Sequence, residues 1–543
     1  MPDASTEYEV LIVGGGLTGL YQLYRAREHG WSVRLLEAGG GVGGTWYWNR
    51  YPAARTDSEG YSYAYFMNEE LLQSWDWKET FPAQPDLERY YNEFVDRFDL
   101  RRDIELNTRV TAAEYDEPSG RWTLRTATGQ TFVTRYLVAA SGVLSVPHFP
   151  DIPGAGEFAG PVHHTAQWPA EGVDVRGKRV AVIGTGSSGI QLIPAIVDEV
   201  ASLTVYQRTA NWAMPLNNKP LSPQEQEDIR RNYPALRELL RRTSGGFVHE
   251  DATRKTFEDS ESERRAHYER LWNGQGMRAM FSTYADLVTD PAANAEFSRF
   301  LAEKIRSIVT DPVVAKKLIP SDHGFGMKRP PMENGYYEAF NRSHVELVDL
   351  RANPTRRITA TGIESEDRPR EFDVIVYATG FDAFTGALLK MGIRGRDGVS
   401  LNDTWADGPF TYLGVAVPGY PNLLIDSGPH GTYGNIPRSA EVQADFVTEL
   451  VNHARAHGYE RIEATTEAAE AWTAHVYEAA QYYLLADGAW YVGGNVPGKP
   501  RRFLPYSWGI PTYRSKLDEV VAAGYRGFEF ATAAVPSPVA SGA

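Results

Sequence analysis

Two stretches of the chain share one hydrophobic pattern, in which a short apolar run ends in a cluster of glycines. The runs 9–13 and 179–183 lead into Gly14-Gly15-Gly16-Leu17-Thr18-Gly19 and into Gly184-Thr185-Gly186-Ser187-Ser188-Gly189. A continuous apolar run that stops at a glycine turn is typical of a buried parallel strand. Each stretch therefore predicts a strand–turn–helix unit whose helix N-terminus can bind a diphosphate.

Other segments show different periods. Apolar and polar residues alternate in 108–115 and 121–126, which predicts two antiparallel strands around a turn at 118–120. Residues 216–308 are densely charged at helical spacing, and 261–272 and 293–308 are the clearest predicted helices. We interpret this region as a helical insertion.

The order of these patterns predicts an α/β fold with two Rossmann-like dinucleotide-binding domains, one inserted in the other. Apolar runs at 136–140 and 373–378 both end in glycine, and the second would return the chain to the first domain. The predicted ranges are 1–145 with 375–543 for the first domain, 146–215 with 309–374 for the second, and 216–308 for the insertion. Residues 531–543 are rich in Ala, Ser, Pro and Val, and we expect them to be disordered.

The two units differ at the residue that contacts the ribose. Glu37 stands 23 residues after Gly14, whereas Gln207, followed by Arg208, stands 23 residues after Gly184. A carboxylate accepts hydrogen bonds from free ribose hydroxyls, while a guanidinium suits a 2′-phosphate. The pattern predicts FAD in the first domain and NADPH in the second, although two structural glycine turns are the alternative.

Composition narrows the partners. The net charge of −15 and the pI near 5.4 argue against nucleic acid. No apolar run approaches the roughly 18 residues that a membrane helix needs, and residues 1–8 are polar and acidic, unlike a secretory signal. We expect a cytoplasmic protein that does not bind membranes. The sequence suggests neither a metal site nor a protein partner.

The chain contains no cysteine. Many proteins that bind FAD and NADPH pass electrons to a pair of cysteines, and this protein cannot. Attachment of the flavin through sulfur and iron–sulfur clusters on thiolates are excluded for the same reason. The electrons must therefore go elsewhere.

The stretch 158–169 carries a family resemblance. Phe158, Gly160, His164, Trp168 and Pro169 match every fixed position of the FxGxxxHxxxWP motif of the flavoprotein Baeyer–Villiger monooxygenases. The chain looks most like the phenylacetone and cyclohexanone monooxygenase branch, and further segments with counterparts there are 42–52, 207–209, 328–330, 378–382 and 490–499. One departure is Ala53, where relatives usually have glycine.

The resemblance implies NADPH- and O₂-dependent conversion of a small ketone into an ester or lactone through a C4a-peroxyflavin, with oxidation of thioethers also possible. It assigns Arg329 the stabilisation of the negative oxygen that develops, a task suited to a guanidinium that stays charged. It also makes Asp57 the partner that positions Arg329. From the residues alone, Lys328-Arg329 could equally be two basic surface residues.

The expected cofactor contacts combine the two glycine motifs with the residues that the resemblance assigns. For FAD they are Gly14, Gly16, Thr18, Gly19, Glu37, Gly44, Thr45, Trp46, Arg55, Asp57, Tyr63 and Val110. For NADPH they are Gly184, Thr185, Gly186, Ser187, Ser188, Gly189, Arg208, Thr209, Lys328 and Trp490. Arg208, Thr209 and Lys328 are assigned to the 2′-phosphate. The resemblance puts His164 on the interdomain linker as a structural residue.

Loop 428–435 has two interpretations. By resemblance it borders the substrate pocket, and it carries His430 and Tyr433 where small residues could have stood. An ordinary surface turn rich in glycine and proline is the alternative.

Two other functions remain open. An N- or S-hydroxylating flavin monooxygenase shares the plan of two nucleotide sites but needs no arginine at the flavin. A redox-sensing flavoprotein that controls a partner would consume NADPH slowly whatever organic compound is added.

Overall fold

The fold is described from a computed structural model covering residues 6–532. Within this range the strands, in chain order, are β1 (Thr6–Val13), β2 (Val33–Leu36), β3 (Ile104–Glu105), β4 (Val110–Asp116), β5 (Arg121–Thr126), β6 (Thr131–Ala139), β7 (Val162–His164), β8 (Arg179–Ile183), β9 (Ser202–Gln207), β10 (Met214–Pro215), β11 (Met332–Glu333), β12 (Val345–Asp349), β13 (Thr355–Thr359), β14 (Gly362–Ser365), β15 (Pro369–Glu371), β16 (Val374–Tyr377), β17 (Ile393–Arg394), β18 (Leu423–Ile425), β19 (Arg461–Ala464) and β20 (Phe528–Ala531).

The α-helices over the same residues are α1 (Leu17–Glu28), α2 (Thr45–Trp48), α3 (Gly60–Tyr63), α4 (Glu69–Ser74), α5 (Gln84–Arg97), α6 (Ser187–Ile196), α7 (Pro223–Arg242), α8 (Glu261–Trp272), α9 (Arg278–Phe281), α10 (Pro291–Ile308), α11 (Pro312–Leu318), α12 (Tyr336–Ala339), α13 (Gly386–Lys390), α14 (Leu401–Thr404), α15 (Ile436–Ala456), α16 (Thr466–Ala480) and α17 (Ile510–Ala522).

The first sheet has the order β17-β4-β5-β6-β1-β2-β3, with β18 also paired to β6. The apolar run 9–13, in β1, is explained by burial on both faces of this sheet. Val10 and Ile12 pack into one core, while Leu11 and Val13 pack into another. The β4–β5 and β5–β6 pairs are antiparallel, which confirms the two alternating strands predicted around the turn at 118–120.

The second sheet is parallel throughout, in the order β12-β9-β8-β16-β7. Val180 and Val182 face one core and Ala181 and Ile183 the other. The predicted boundary at 374/375 is wrong by a few residues, because it cuts β16, which pairs with β8 and β7 of this sheet. The return to the first sheet therefore follows Tyr377. The other domain limits stay predictions.

The two connections between the sheets run side by side as an antiparallel ribbon. Backbone hydrogen bonds join His148 N–H to the Gly380 carbonyl at 2.9 Å, Asp382 N–H to the Val146 carbonyl at 2.9 Å, and Phe384 N–H to the Val143 carbonyl at 2.8 Å. The two chain connections between the sheets thus form one short ribbon.

The helical region contains the predicted helices: α8 spans 261–272, and α10 begins two residues before the expected 293. Both begin at side-chain caps, Ser260 and Asp290, that accept hydrogen bonds from the first backbone N–H groups. Ala531 ends β20, so the expected disorder does not begin there, and residues 533–543 lie outside the described residues. Between residues 6 and 532, no helix combines the length and apolar character needed to cross a bilayer.

Candidate active site

A cavity of about 1220 Å³ lies between the two sheets and is lined from both glycine turns. Pockets for a single small ligand are typically about 300–1,000 Å³, so this one is large enough for more than one ligand. The sequence-predicted residues on its wall are Gly14, Gly16, Thr18, Glu37, Gly44, Thr45, Trp46, Arg55, Asp57, Tyr63, Val110, Gly184, Thr185, Gly186, Ser187, Ser188, Arg208, Thr209, Lys328, Arg329 and Trp490.

The two turns have the same backbone geometry. Gly14 has φ +115° and Gly184 has φ +113°, and a Cβ on either would lie 2.4 Å from a carbonyl oxygen of the neighbouring strand end, at Ala140 or Ala378. Only glycine fits such positions. The last glycines of the motifs, Gly19 and Gly189, are absent from the cavity wall. They instead pack directly against the carbonyls of Gly14 and Gly184, so their function is close helix–strand packing.

Both helix N-termini are free to bind an anion. α1 and α6 follow Gly16 and Gly186, and in neither helix does a side chain cap the first N–H groups or an acidic residue occupy the first turn. The uncapped N–H groups and the helix dipole favour the diphosphate of a dinucleotide.

Glu37 occupies the ribose position of the first turn. Its two carboxylate oxygens accept hydrogen bonds from Gly15 N–H and Gly39 N–H, both at 2.6 Å. Burial raises the pKa of Glu37, and these two donors oppose the shift by stabilising the carboxylate. Its place on the cavity wall fits the free ribose of FAD.

A second segment covers the first turn. Gly43 N–H donates to the Gly15 carbonyl at 2.9 Å, and a Cβ on Gly44 would lie 2.6 Å from the Cα of Gly16. Thr18 Oγ1 is 3.0 Å from Ser427 Oγ, a residue missed by sequence reasoning because it comes from 409 positions away. The first nucleotide site is therefore enclosed by distant parts of the chain.

The second ribose position is built differently. Gln207 is buried and donates from its side chain to the Lys317 carbonyl at 2.7 Å, away from the cavity. Arg208 and Lys328 both line the cavity, and Thr185 Oγ1 donates to the Thr209 carbonyl at 3.1 Å. The positive charge predicted for a 2′-phosphate is therefore present.

Sequence reasoning missed a third cation at this position, Arg351. Its guanidinium donates to Thr209 Oγ1 at 3.2 Å and to Asp322 at 2.5 Å. Burial lowers the pKa of Lys328, as do the nearby charges of Arg208 and Arg351, while Asp322 opposes the shift. Three cations with one carboxylate leave two positive charges, which match a 2′-phosphate of about −1.5 to −2.

The structure brings Arg329 and Asp57 together. The Arg329 guanidinium donates a hydrogen bond to an Asp57 carboxylate oxygen, across 272 positions of sequence. Burial disfavours the charge of Arg329, but Asp57, Tyr433 and Tyr491 outweigh it and raise the pKa of the guanidinium further. Arg329 is therefore a fixed positive charge on the cavity wall.

Aromatic side chains surround this charge. Tyr433, Trp490 and Tyr491 line the cavity, and the Trp490 ring stacks on Phe384 at 5.7 Å and meets Tyr433 edge-on at 5.6 Å. Loop 428–435 therefore borders the cavity through Tyr433, whereas His430 is fully buried behind it. Burial keeps His430 neutral by lowering its pKa to about 3.

Three further residues predicted to contact FAD, Arg55, Tyr63 and Val110, also line the cavity. Arg55 is paired with Glu79 at 3.0 Å. Tyr63 is buried, and its hydroxyl accepts from the Trp46 indole at 3.3 Å. Val110 begins β4 at the cavity edge.

His164 ends β7, an edge strand that the sequence pattern did not reveal. Its Nδ1 accepts from Ala166 N–H at 3.0 Å, and its Nε2 lies 3.3 Å from Thr379 Oγ1, which donates to the His148 carbonyl. Burial lowers the pKa of His164 to about 4, so the ring is neutral. These contacts join the motif to both strands of the ribbon, as a structural residue would.

Comparison with known proteins agrees with this geometry. A family model described as pyridine nucleotide-disulphide oxidoreductase matches residues 11–245. Acetone monooxygenase (methyl acetate-forming) of Gordonia sp. strain TY-5 is 42% identical over 530 residues, covering 97% of this chain and 99% of that protein. A phenazine N-monooxygenase of Lysobacter antibioticus is 41% identical over 527 residues, covering 96% and 97%. The crystal structure of OTEMO in complex with FAD and NADP has a TM-score of 0.94 at 41% identity, covering 97% of this chain and all of that one.

The chain belongs to the Baeyer–Villiger monooxygenases, which are FAD- and NADPH-dependent enzymes that act on ketones. The finding confirms the predicted enzyme class, cofactors and fold, and it contradicts the alternative of a redox-sensing regulator. The matched family model is named for disulphide chemistry, which a chain without cysteine cannot perform.

Proposed function

We propose that Arg329 and Asp57 are the catalytic pair with which this enzyme converts a small ketone into an ester or lactone. Bound FAD supplies the oxygen chemistry, using electrons from NADPH and one atom of O₂. The protein's own contribution is electrostatic: as the carbonyl carbon is attacked, its oxygen becomes negative, and a charge already fixed beside it stabilises that change without reorganisation.

The observation that supports this proposal is the half-buried ion pair of Arg329 and Asp57 on the cavity wall. Asp57 lies after α2, in the domain predicted to bind FAD. Arg329 lies between α11 and β11, in the domain predicted to bind NADPH. The pair therefore joins the two halves at the cavity they share. Asp57 fixes the direction of the guanidinium and keeps it charged.

The test compares Arg329→Ala with wild type in the presence of a cyclic ketone. We expect the variant to oxidise NADPH and reduce its flavin but to lose about 10²–10³ in the rate of ester formation, the usual cost of removing a positioned donor. Arg357→Ala is the control, because Arg357 is an exposed arginine of the same half, paired with Glu157. Ester formation near the wild-type rate in Arg329→Ala would disprove the assignment.

Oxidation at nitrogen or sulfur is the second candidate. It is favoured by the phenazine N-monooxygenase among the relatives, since that name describes oxygen transfer to nitrogen. A panel of cyclic ketones, thioethers and N-heteroaromatic compounds, read by mass gain of one oxygen, distinguishes the two activities. Exclusive N-oxide formation would favour this candidate over the ketone reaction.

We also propose that the enzyme acts in the cytoplasm, where NADPH is available, and without a protein partner. We assign the substrate to the small ketones. A cavity that must also hold two dinucleotides leaves limited room beside Tyr433 and Trp490.

A further inference from the structure

We infer that Asn211 is a positioning residue for Arg329, tying the proposed catalytic arginine to the loop that carries the predicted 2′-phosphate residues. The inference rests on the proposed function of Arg329. Asn211 lines the cavity, and its Nδ2 donates to the Arg329 carbonyl at 3.1 Å.

The amide of Asn211 is itself fixed. Its Oδ1 accepts from Trp212 N–H at 2.9 Å, which orients Nδ2 toward Arg329. Because one end of the amide is held locally, the other end can act as a directed donor to a residue 118 positions away.

Arg329 needs such support because it lies outside regular secondary structure, between α11 and β11. Further contacts join the same two segments: the Trp212 indole donates to the His323 carbonyl at 3.0 Å, and Met214 N–H donates to the Pro331 carbonyl at 3.1 Å. Of these bonds, only that of Asn211 ends on Arg329 itself. It therefore fixes the peptide from which the guanidinium extends.

The same loop begins with Arg208 and Thr209. Asn211 thus lies between the predicted 2′-phosphate site and the catalytic arginine, three residues from Arg208 and in contact with Arg329. Loss of its donor should displace Arg329 while leaving the nucleotide contacts in place. A small displacement of a positioned group is enough to cost a large factor in rate.

The expected signature is uncoupling. In the productive reaction, ketone, O₂, NADPH and H⁺ give ester, water and NADP⁺. When the oxygen atom is not transferred, O₂, NADPH and H⁺ give H₂O₂ and NADP⁺. We expect Asn211→Ala to lower the ester formed per NADPH by about tenfold, with H₂O₂ accounting for the difference.

The control is Asn341→Ala, because Asn341 makes the same two kinds of contact elsewhere in this half. Its Oδ1 accepts from Thr310 N–H at 2.9 Å and its Nδ2 donates to the Ile308 carbonyl at 2.8 Å, away from the cavity. Asn211→Ser is made in parallel, since it also lacks the long donor and keeps a polar group if the alanine variant folds poorly.

Three measurements decide the outcome: ester and H₂O₂ per NADPH, the anaerobic rate of flavin reduction, and the Kd of 2′,5′-ADP by calorimetry. Support requires uncoupling in both Asn211 variants, with flavin reduction and 2′,5′-ADP affinity within about twofold of wild type. Unchanged ester yield would overturn the inference, and so would a parallel loss of 2′,5′-ADP binding, which would make Asn211 a nucleotide contact. If wild type itself forms no ester from any ketone, the proposed function fails instead.

Discussion

The two nucleotide turns have nearly identical backbones but different surroundings. The first turn is covered, because Gly44 lies against Gly16 and Gly43 donates to Gly15. At the second turn, a Cβ on Gly186 would meet no protein atom within 4 Å. The shared motif provides a diphosphate site in both turns, and we expect the covering segment to determine how easily each dinucleotide leaves.

This difference suits the two cofactors. A flavin that stays bound through many turnovers benefits from an enclosing segment, whereas NADPH must enter and NADP⁺ must leave in each cycle. The residues at the two ribose positions also differ in a way that suits FAD and NADPH. Glu37 is held by two backbone donors, while Arg208, Lys328 and Arg351 present charge that a 2′-phosphate can neutralise.

The largest effect is expected from removing the cover. In Gly44→Val the new side chain would collide with the backbone of Gly16, at a residue that also has φ +56°. We expect the variant to lose most of its FAD, measured as the ratio of flavin to protein absorbance after desalting. Gly186→Val should keep its FAD and lose affinity for NADPH, because the bound diphosphate must approach that backbone.

Gly156→Val is the control, since a Cβ there meets nothing within 4 Å and Gly156 is absent from the cavity wall. If Gly44→Val retained full flavin after desalting, the cover would not determine FAD retention and the comparison would fail.

A smaller effect is expected at the open site. Lys328→Ala removes one of three cations and should raise the KM for NADPH by roughly 10- to 100-fold, as for loss of a charge-assisted hydrogen bond. The KM for NADH, which lacks the 2′-phosphate, should change little. Steady-state kinetics with both nucleotides measure the ratio. Equal losses with NADPH and NADH would argue against a 2′-phosphate contact.

The smallest effect concerns the ribbon between the two sites. The pKa of His164 is about 4 in the folded protein, against about 6.5 when unfolded, so between these values the unfolded chain binds more protons. The stabilisation that comes from keeping His164 neutral is therefore complete above pH 6.5. Below that pH it falls by about 1.4 kcal/mol per pH unit as the pH drops toward 4.

The test is the Tm of wild type and of His164→Gln between pH 7.5 and 5. The difference between the two proteins should narrow by roughly 1 °C per pH unit below 6.5. A constant difference across the range would mean that His164 does not titrate in this way.

The sequence predicted what depends on local geometry. Gly14 and Gly184 are required by their own backbone angles, and α8 is specified by its cap at Ser260 and its charge spacing. Contacts between distant residues were found in part only through family resemblance, as for Asp57 with Arg329. Asn211 and Ser427 were missed, because a polar side chain that serves a backbone carbonyl or hydroxyl far along the chain leaves no periodic signal.

Ala53 illustrates the same limit at one residue. The sequence showed a departure from the usual glycine, and the structure shows why glycine is usual, since Ala53 has φ +63°. An alanine in this region is strained by roughly 1–2 kcal/mol relative to its preferred conformations. The strain is invisible without coordinates.

The ribbon at 143–148 and 380–384 has a mechanical consequence. A pair of hydrogen-bonded strands bends readily out of the plane of the pair. Bending within that plane, or sliding one strand past the other, would break the hydrogen bonds that join them. At this connection, bending out of the plane of the ribbon is therefore the easiest relative motion of the two halves. Such bending would change the separation of Arg329 and Asp57, so we expect their ion pair to open and close with it.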